Sequence, residues 1–201
     1  MSSTSFLLGH YSEPVERAIK EAETNQIVDR IWRKDASLWK SDDAIQKTIR
    51  NALGWLTVAE EMVGVVDELH QFAQSIRAQG FRYAMVCGMG GSSLCPEVLA
   101  RVFGPQQGYP ELVVLDSTNP DVISRLKNRI ELERCLFIIA SKSGSTIEPT
   151  TFTQYWYDEL RKRTASPGRN FVAITDAGSP LVATASELNF EKTFLNQADI
   201  G

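Results

Sequence analysis

Apolar positions change their rhythm near Gly80. Before it they recur at helical spacing, and after it they gather into short unbroken runs. Glu13 to Arg33 reads as one helix, with Ser12 as N-cap and Pro14 in the first turn. Ser41-Asp42-Asp43 offers a cap for a second helix running to about Leu53. From Trp55 to about Gln79, Val58, Met62, Val65, Val66, Leu69, Phe72 and Ile76 mark one stripe, which predicts a long amphipathic helix buried along that stripe. Gly80 stands where a left-handed residue ends such a helix. His70 falls beside the stripe and reads as a surface or half-buried histidine.

After Gly80 the pattern alternates. Phe81–Cys87, Leu112–Asp116, Cys135–Ala140, Asn170–Thr175 and Lys192–Leu195 are predicted strands. Pro96–Phe103, Pro120–Arg129, Glu148–Arg163 and Pro180–Leu188 are predicted helices, several opening at a proline. Near-continuous apolar strands alternating with helices predict an α/β fold, a doubly wound five-stranded parallel sheet covered on both faces. The right-handed crossover rule leaves few topologies. The expected organisation is an N-terminal helical segment over residues 1–80 packed on the core of an α/β domain over residues 81–201.

Composition adds exclusions. With 21 Lys+Arg against 25 Asp+Glu in 201 residues, the net charge of −4 argues against a nucleic-acid surface, which needs clustered basic charge. No apolar run approaches the ~20 residues that span a membrane. The first residues lack the basic flank and apolar stretch of a secretory signal. Three cysteines without metal-ligand spacing suit structural thiols in a reducing cytoplasm. His10 and His70 have no ligand-type neighbours in the sequence, which speaks against a zinc site.

In open α/β sheets, ligands bind beyond the carboxyl ends of the strands. Two loops there carry candidate chemistry. Gly88-Met89-Gly90-Gly91-Ser92-Ser93 follows the first strand, and its glycines let backbone N–H groups approach an anion while Ser92 and Ser93 add hydroxyls. Ser141-Lys142-Ser143-Gly144-Ser145-Thr146 follows the third, offering four hydroxyls, an ammonium and free N–H groups before a helix opened by Glu148 and Pro149. Either segment alone also suits a bare polar turn. In a strand order of 2-1-3-4-5 both loops face one crevice, and the pair favours a phosphate ligand. No lysine follows the glycines as in a nucleotide-binding P-loop. A dinucleotide site would use Gly88, Gly90 and Asp116, yet Ser93 stands at the third glycine position, and Asp116–Asn119 reads equally well as a capping turn before Pro120.

The runs GMGGSSLCPE (88–97), LDSTNP (115–120) and SKSGSTIEPT (141–150) resemble the sugar isomerase (SIS) domain of glucose-6-phosphate isomerase. RIWRKDASLW (30–39) and LGWL (53–56) resemble the isomerase half of bifunctional transaldolase/glucose-6-phosphate isomerases. The resemblance implies a flavodoxin-like strand order and cofactor-free interconversion of glucose 6-phosphate and fructose 6-phosphate through an enediol. It places the hexose 6-phosphate's phosphate against Ser141, Lys142, Ser143, Gly144, Ser145 and Thr146, with Gly91 and Ser92 completing the cradle. Glu148 matches an acidic position with a supporting role. Cys95 departs from the pattern, where a glycine is usual.

The same resemblance implies a homodimeric full-length enzyme, with no nucleic acid and no membrane as partner. It puts the general-base glutamate, the ring-opening histidine and a Gly-Gly-Arg arginine downstream, with Gly201 as the first glycine of that motif. The chain is therefore expected to hold the phosphate half of an active site, to contain no catalytic residue of its own, and to be inactive in isolation. A non-catalytic sugar-phosphate sensor is the alternative, and a dinucleotide-binding domain a third.

Overall fold

The computed structural model describes residues 6–200. The chain divides into two compact units, one ending at Ala59 and joined by the segment from Asp199, the other Glu60–Ala198.

In the first unit the single helix expected over 13–33 is two. α1 (Ser12–Thr24) ends where the Thr24 hydroxyl donates to the Lys20 carbonyl at 2.7 Å and the Asn25 amide to the Glu21 carbonyl at 3.0 Å. These side chains satisfy terminal carbonyls that a continuing helix would use. Gln26 then takes φ 52°, and α2 (Ile27–Trp32) starts on a new axis. Helical periodicity is blind to one left-handed residue between two apolar stretches. Ser12 lies inside α1 rather than capping it, and donates to the Gly9 carbonyl at 3.0 Å. Asp35 caps the turn Ala36–Leu38 and meets Arg30 at 2.7 Å; hydrogen bonds from Ser37 and then Arg30 draw its carboxyl down to about 2. α3 (Asp43–Arg50) is capped as expected, Asp42 Oδ1 accepting from the Ile45 N–H at 3.0 Å.

The long helix expected from Trp55 to Gln79 is also divided. A 3-10 turn at Gly54–Leu56 precedes α4 (Val58–Met62), a second covers Val63–Val65, and α5 (Val66–Ala78) follows. Gly64 between β-branched valines is a weak point for any helix, glycine alone costing about 1 kcal/mol against alanine. The stripe is buried only at Ile76; Met62, Val66 and Leu69 are exposed, contrary to expectation. Gly80, φ +81°, takes the predicted left-handed conformation after α5.

The remainder of the second unit is a five-stranded, all-parallel sheet in the order β2-β1-β3-β4-β5. Its strands are β1 (Tyr83–Gly88), β2 (Glu111–Leu115), β3 (Cys135–Ala140), β4 (Phe171–Thr175) and β5 (Lys192–Leu195). The connections are α6 (Gly91–Phe103), α7 (Pro120–Arg129), α8 (Ile147–Leu160) and α9 (Pro180–Glu187). α6 begins before Pro96, which lies within the helix.

Strand alternation sends Met85, Cys87, Phe137, Ile139, Phe171 and Ala173 into one core with Phe152, Trp156 and Leu160 of α8 and Leu181 of α9. Phe137 stacks at 5.3 Å on Trp156 and 5.1 Å on Phe171. Leu136 and Val172 form a smaller core with Ile76 of α5. Reversal of strand order after β1 places α6 on a different face from α7–α9 under the right-handed rule. Burial pushes the Cys135 thiol up to about 12 and raises that of Cys87, so both are unionised packing groups. No helix among the described residues is long and apolar enough to cross a membrane.

Candidate functional site

β1 and β3 are neighbours, so the loops leaving their carboxyl ends lie side by side at the switch point. Gly88 is required by this closeness: a Cβ there would fall 2.9 Å from Ser92 Cβ and 3.0 Å from the Ala140 carbonyl oxygen. Gly90, at φ +58°, makes the left-handed turn into α6. Ser93, expected to add a free hydroxyl, instead donates to the Gly90 carbonyl at 3.0 Å and is buried. Ser92 lines a 330 Å³ cavity together with Met89, Ser141, Lys142, Ser143 and Thr146.

The second loop is tied internally. Ser141 Oγ donates to Thr146 Oγ1 at 3.2 Å and accepts from the Gly144 N–H at 3.2 Å. Ser143 and Ser145 share a hydrogen bond of 2.9 Å between their hydroxyls. Gly144 has φ +65°, and a Cβ on it would lie 2.8 Å from both Leu181 N and Ser179 Oγ, which presses the loop onto the start of α9. The donor side chains on the cavity wall are neutral hydroxyls and one ammonium, a set matched to a phosphate's acceptor oxygens.

Five of the eight expected phosphate residues, Ser92, Ser141, Lys142, Ser143 and Thr146, thus line one cavity. Gly91 opens α6 beside it, Gly144 lines the groove between α8 and α9, and Ser145 is engaged with Ser143. Glu148, in the first turn of α8, is outside the cavity wall. Asp116 is also outside it, and Asn119 rather than Asp116 caps α7, accepting from the Asp121 N–H at 2.8 Å.

Sequence reasoning passed over Asp176. It follows β4, lines the same cavity, meets Lys142 Nζ at 3.2 Å and accepts from Asn196 Nδ2 at 2.9 Å. The carboxyl-end rule that singled out the first two loops applies equally to β4. Among the described residues, no group of three or more His, Cys, Asp or Glu side chains is placed to hold a metal ion.

A doubly wound parallel sheet, with the loops after β1 and β3 meeting at its switch point around one polar cavity, defines an α/β domain. Residues 46–183 match the family model for phosphoglucose isomerase, and the chain belongs to that family. Glucose-6-phosphate isomerase of Campylobacter jejuni is 29% identical over 150 residues, covering 74% of this chain and 36% of that protein. The enzyme of a Cyanothece species is 33% identical over 148 residues, covering 67% and 27%. The chain thus spans about a third of the length of these curated relatives. Two solved structures share the fold. A hypothetical protein from Thermus thermophilus superposes with a TM-score of 0.69 at 22% identity over 96% of this chain and 43% of that one. A glucose-6-phosphate isomerase from Chlamydia trachomatis gives 0.60 at 23% identity over 85% and 31%.

Proposed function

We propose that this chain is the phosphate-binding part of a glucose-6-phosphate isomerase, holding the phosphate of a hexose 6-phosphate in the cavity between the loops after β1 and β3. The observation that carries the reading is the convergence of Ser92, Ser141, Ser143 and Thr146 on one cavity, in a member of the phosphoglucose isomerase family. Residues 81–201 are the sugar isomerase domain in this reading, and 1–80 its helical segment. Gly91, Gly144 and Ser145 shape the cradle through the backbone. Neutral donors grip the dianion equally in substrate and transition state, which positions C1 and C2 of the open-chain sugar without itself lowering the chemical barrier.

Proton transfer between C1 and C2 needs a base that this cavity does not offer. Among the described residues its wall carries no histidine, and its one carboxylate, Asp176, is engaged by Lys142 and Asn196. In this reading the glutamate base, the histidine and the arginine expected from the family come from outside this chain. The whole enzyme is a cytoplasmic, cofactor-free homodimer acting in glycolysis and gluconeogenesis.

Thermal-shift and calorimetric titration with inorganic phosphate and with glucose 6-phosphate test the reading. Both raise the melting temperature of the chain, and Ser143→Ala combined with Thr146→Ala removes the rise. A rise that survives in the double variant places the phosphate elsewhere. Aldose–ketose turnover by the chain alone would refute the assignment of the base to another segment.

A further inference from the structure

The phosphate loop is held from outside itself. The Lys142 carbonyl oxygen accepts from the Asp176 N–H at 3.0 Å and from Thr175 Oγ1 at 3.3 Å. Thr175 Oγ1 also shares a 2.7 Å hydrogen bond with Ser179 Oγ. A hydroxyl has one proton, so with Thr175 donating to Lys142 the Ser179 hydroxyl is the donor of that second bond. The relay runs Ser179 to Thr175 to the Lys142 carbonyl, and Thr175 is fully buried. Asp176 holds the other end of the same residue through its carboxylate, 3.2 Å from Lys142 Nζ.

This arrangement fixes a peptide plane. In a trans peptide the C=O of one residue and the N–H of the next point in opposite directions. Two donors on the Lys142 carbonyl therefore turn the Ser143 N–H away from the β4–α9 turn. Ser143 lines the cavity, and among the described residues its N–H meets no acceptor. An unpaired backbone N–H at an anion cavity is a preorganised donor, and holding it in place beforehand spares the ligand the cost of ordering the loop.

We infer that Thr175 and Asp176, supported by Ser179, are positioning residues that fix the Lys142–Ser143 peptide so that the Ser143 N–H meets the phosphate. The inference rests on the phosphate reading of the cavity. It gives β4 a part in the site although none of its side chains needs to touch the ligand.

The test is a titration of the full chain with inorganic phosphate, read by calorimetry and by the Ser143 amide resonance in 15N-labelled protein. In the wild type the Ser143 amide shifts on binding. Thr175→Val keeps the shape and deletes one donor to the Lys142 carbonyl; affinity falls about fivefold to tenfold, the worth of one hydrogen bond. The Ser143 shift shrinks with it, and Thr175→Ser restores both. Ser179→Ala, on a half-buried position, breaks the relay outside the strand and weakens binding at least twofold in a variant that still unfolds cooperatively. Wild-type affinity and a wild-type Ser143 shift in Thr175→Val, or wild-type affinity in Ser179→Ala should the valine variant not fold, overturns the inference alone. No phosphate binding by the wild-type chain overturns the functional reading and the inference together.

Discussion

Lys34 and Asp199, 165 positions apart in the chain, are joined by an ion pair of 3.1 Å. Lys34 is the left-handed residue, φ 55°, that ends α2, its N–H donating to the Ile31 carbonyl at 2.9 Å and the Asp35 N–H to the Arg30 carbonyl at 2.9 Å. The segment of Asp199 is also held by backbone. The Gly54 N–H donates to the Asp199 carbonyl at 2.8 Å, and Leu53 forms an antiparallel bridge with Ile200. The first unit is therefore closed by a piece of chain that follows the sheet in sequence.

Gly54 is the tightest point of that closure. A Cβ there would fall 2.3 Å from Asp199 Oδ1 and 2.8 Å from the Asp199 carbonyl oxygen. The side chain can swing aside, but the carbonyl is fixed by its bond to the Gly54 N–H. Gly54→Ala is expected to cost about 1–3 kcal/mol, the range for overpacking. Lys34→Met, which removes a partly exposed ion pair and the hydrogen bond from Lys34 Nζ to Thr57 Oγ1 at 3.2 Å, should cost about 1 kcal/mol. Urea denaturation of both variants checks the order, and a larger cost for Lys34→Met would mean that the side-chain contacts of Lys34 rather than the backbone contact close the unit.

Glu159 supplies a pH dependence. Lys127 and Lys162 each reach its carboxylate at 2.7 Å, and their hydrogen bonds, Lys127's first, hold its carboxyl near 2 against an ordinary value of 4.5. A carboxyl with a depressed folded-state value binds protons less readily in the folded than in the unfolded chain. Its contribution is therefore complete above pH 4.5 and is lost as pH falls toward 2. Asp35, drawn down to about 2 by Ser37 and Arg30, acts in the same window. Melting temperature should decline over that interval, and Glu159→Gln should flatten the decline. A variant that tracks the wild type throughout would assign the acid sensitivity to other groups.

Much of the sheet was legible because its signals are local. β3 and β5 match their predicted ranges, since compact β-branched and aromatic runs have no helical competitor at that length. α7 matches because Asn119 and Pro120 fix its start chemically. The hydroxyl loop was legible for a similar reason: four hydroxyls in six residues after an apolar strand is a dense chemical signal. The breaks at Gln26 and Gly64 were not, because apolar spacing continues through both. The exposure of Leu69 and Val66 was hidden too, since periodicity shows which face is apolar but not whether anything covers it. Asp176 escaped because one acid after a strand looks like any turn residue; only the distance to Lys142 gives it a role.

Trp156 separates volume from polarity in the core. It is fully buried, stacked on Phe137, and among the described residues its indole N–H has no hydrogen-bond partner. An unsatisfied buried donor carries a desolvation penalty of about 1–3 kcal/mol, which phenylalanine would remove while giving up part of the packed area. Trp156→Phe should therefore change stability by no more than about 1 kcal/mol, whereas Trp156→Ala should lose about 3–5 kcal/mol. Denaturant midpoints decide it. A phenylalanine variant as damaged as the alanine one would show that the indole ring's size, not its orphan N–H, dominates the site.

Asp176 makes the sharpest electrostatic prediction. Its carboxylate sits on the wall of a cavity proposed to take a dianion, compensated by Lys142 at 3.2 Å. Asp176→Asn removes the negative charge, keeps the backbone N–H on the Lys142 carbonyl, and retains an oxygen for Asn196. Removing one charge several ångströms from a dianion at a solvated site is worth about 1 kcal/mol, so phosphate should bind roughly fivefold tighter. The freed ammonium should also make binding fall more steeply with salt, because more of the affinity is then Coulombic. Lys142→Met in the Asp176→Asn background should cancel the gain. Calorimetric titration with phosphate at two ionic strengths measures all three effects. Weaker binding in Asp176→Asn would mean that the carboxylate's larger contribution is to hold the lysine in place, and that a positioned ammonium matters more to the anion than the charge opposing it.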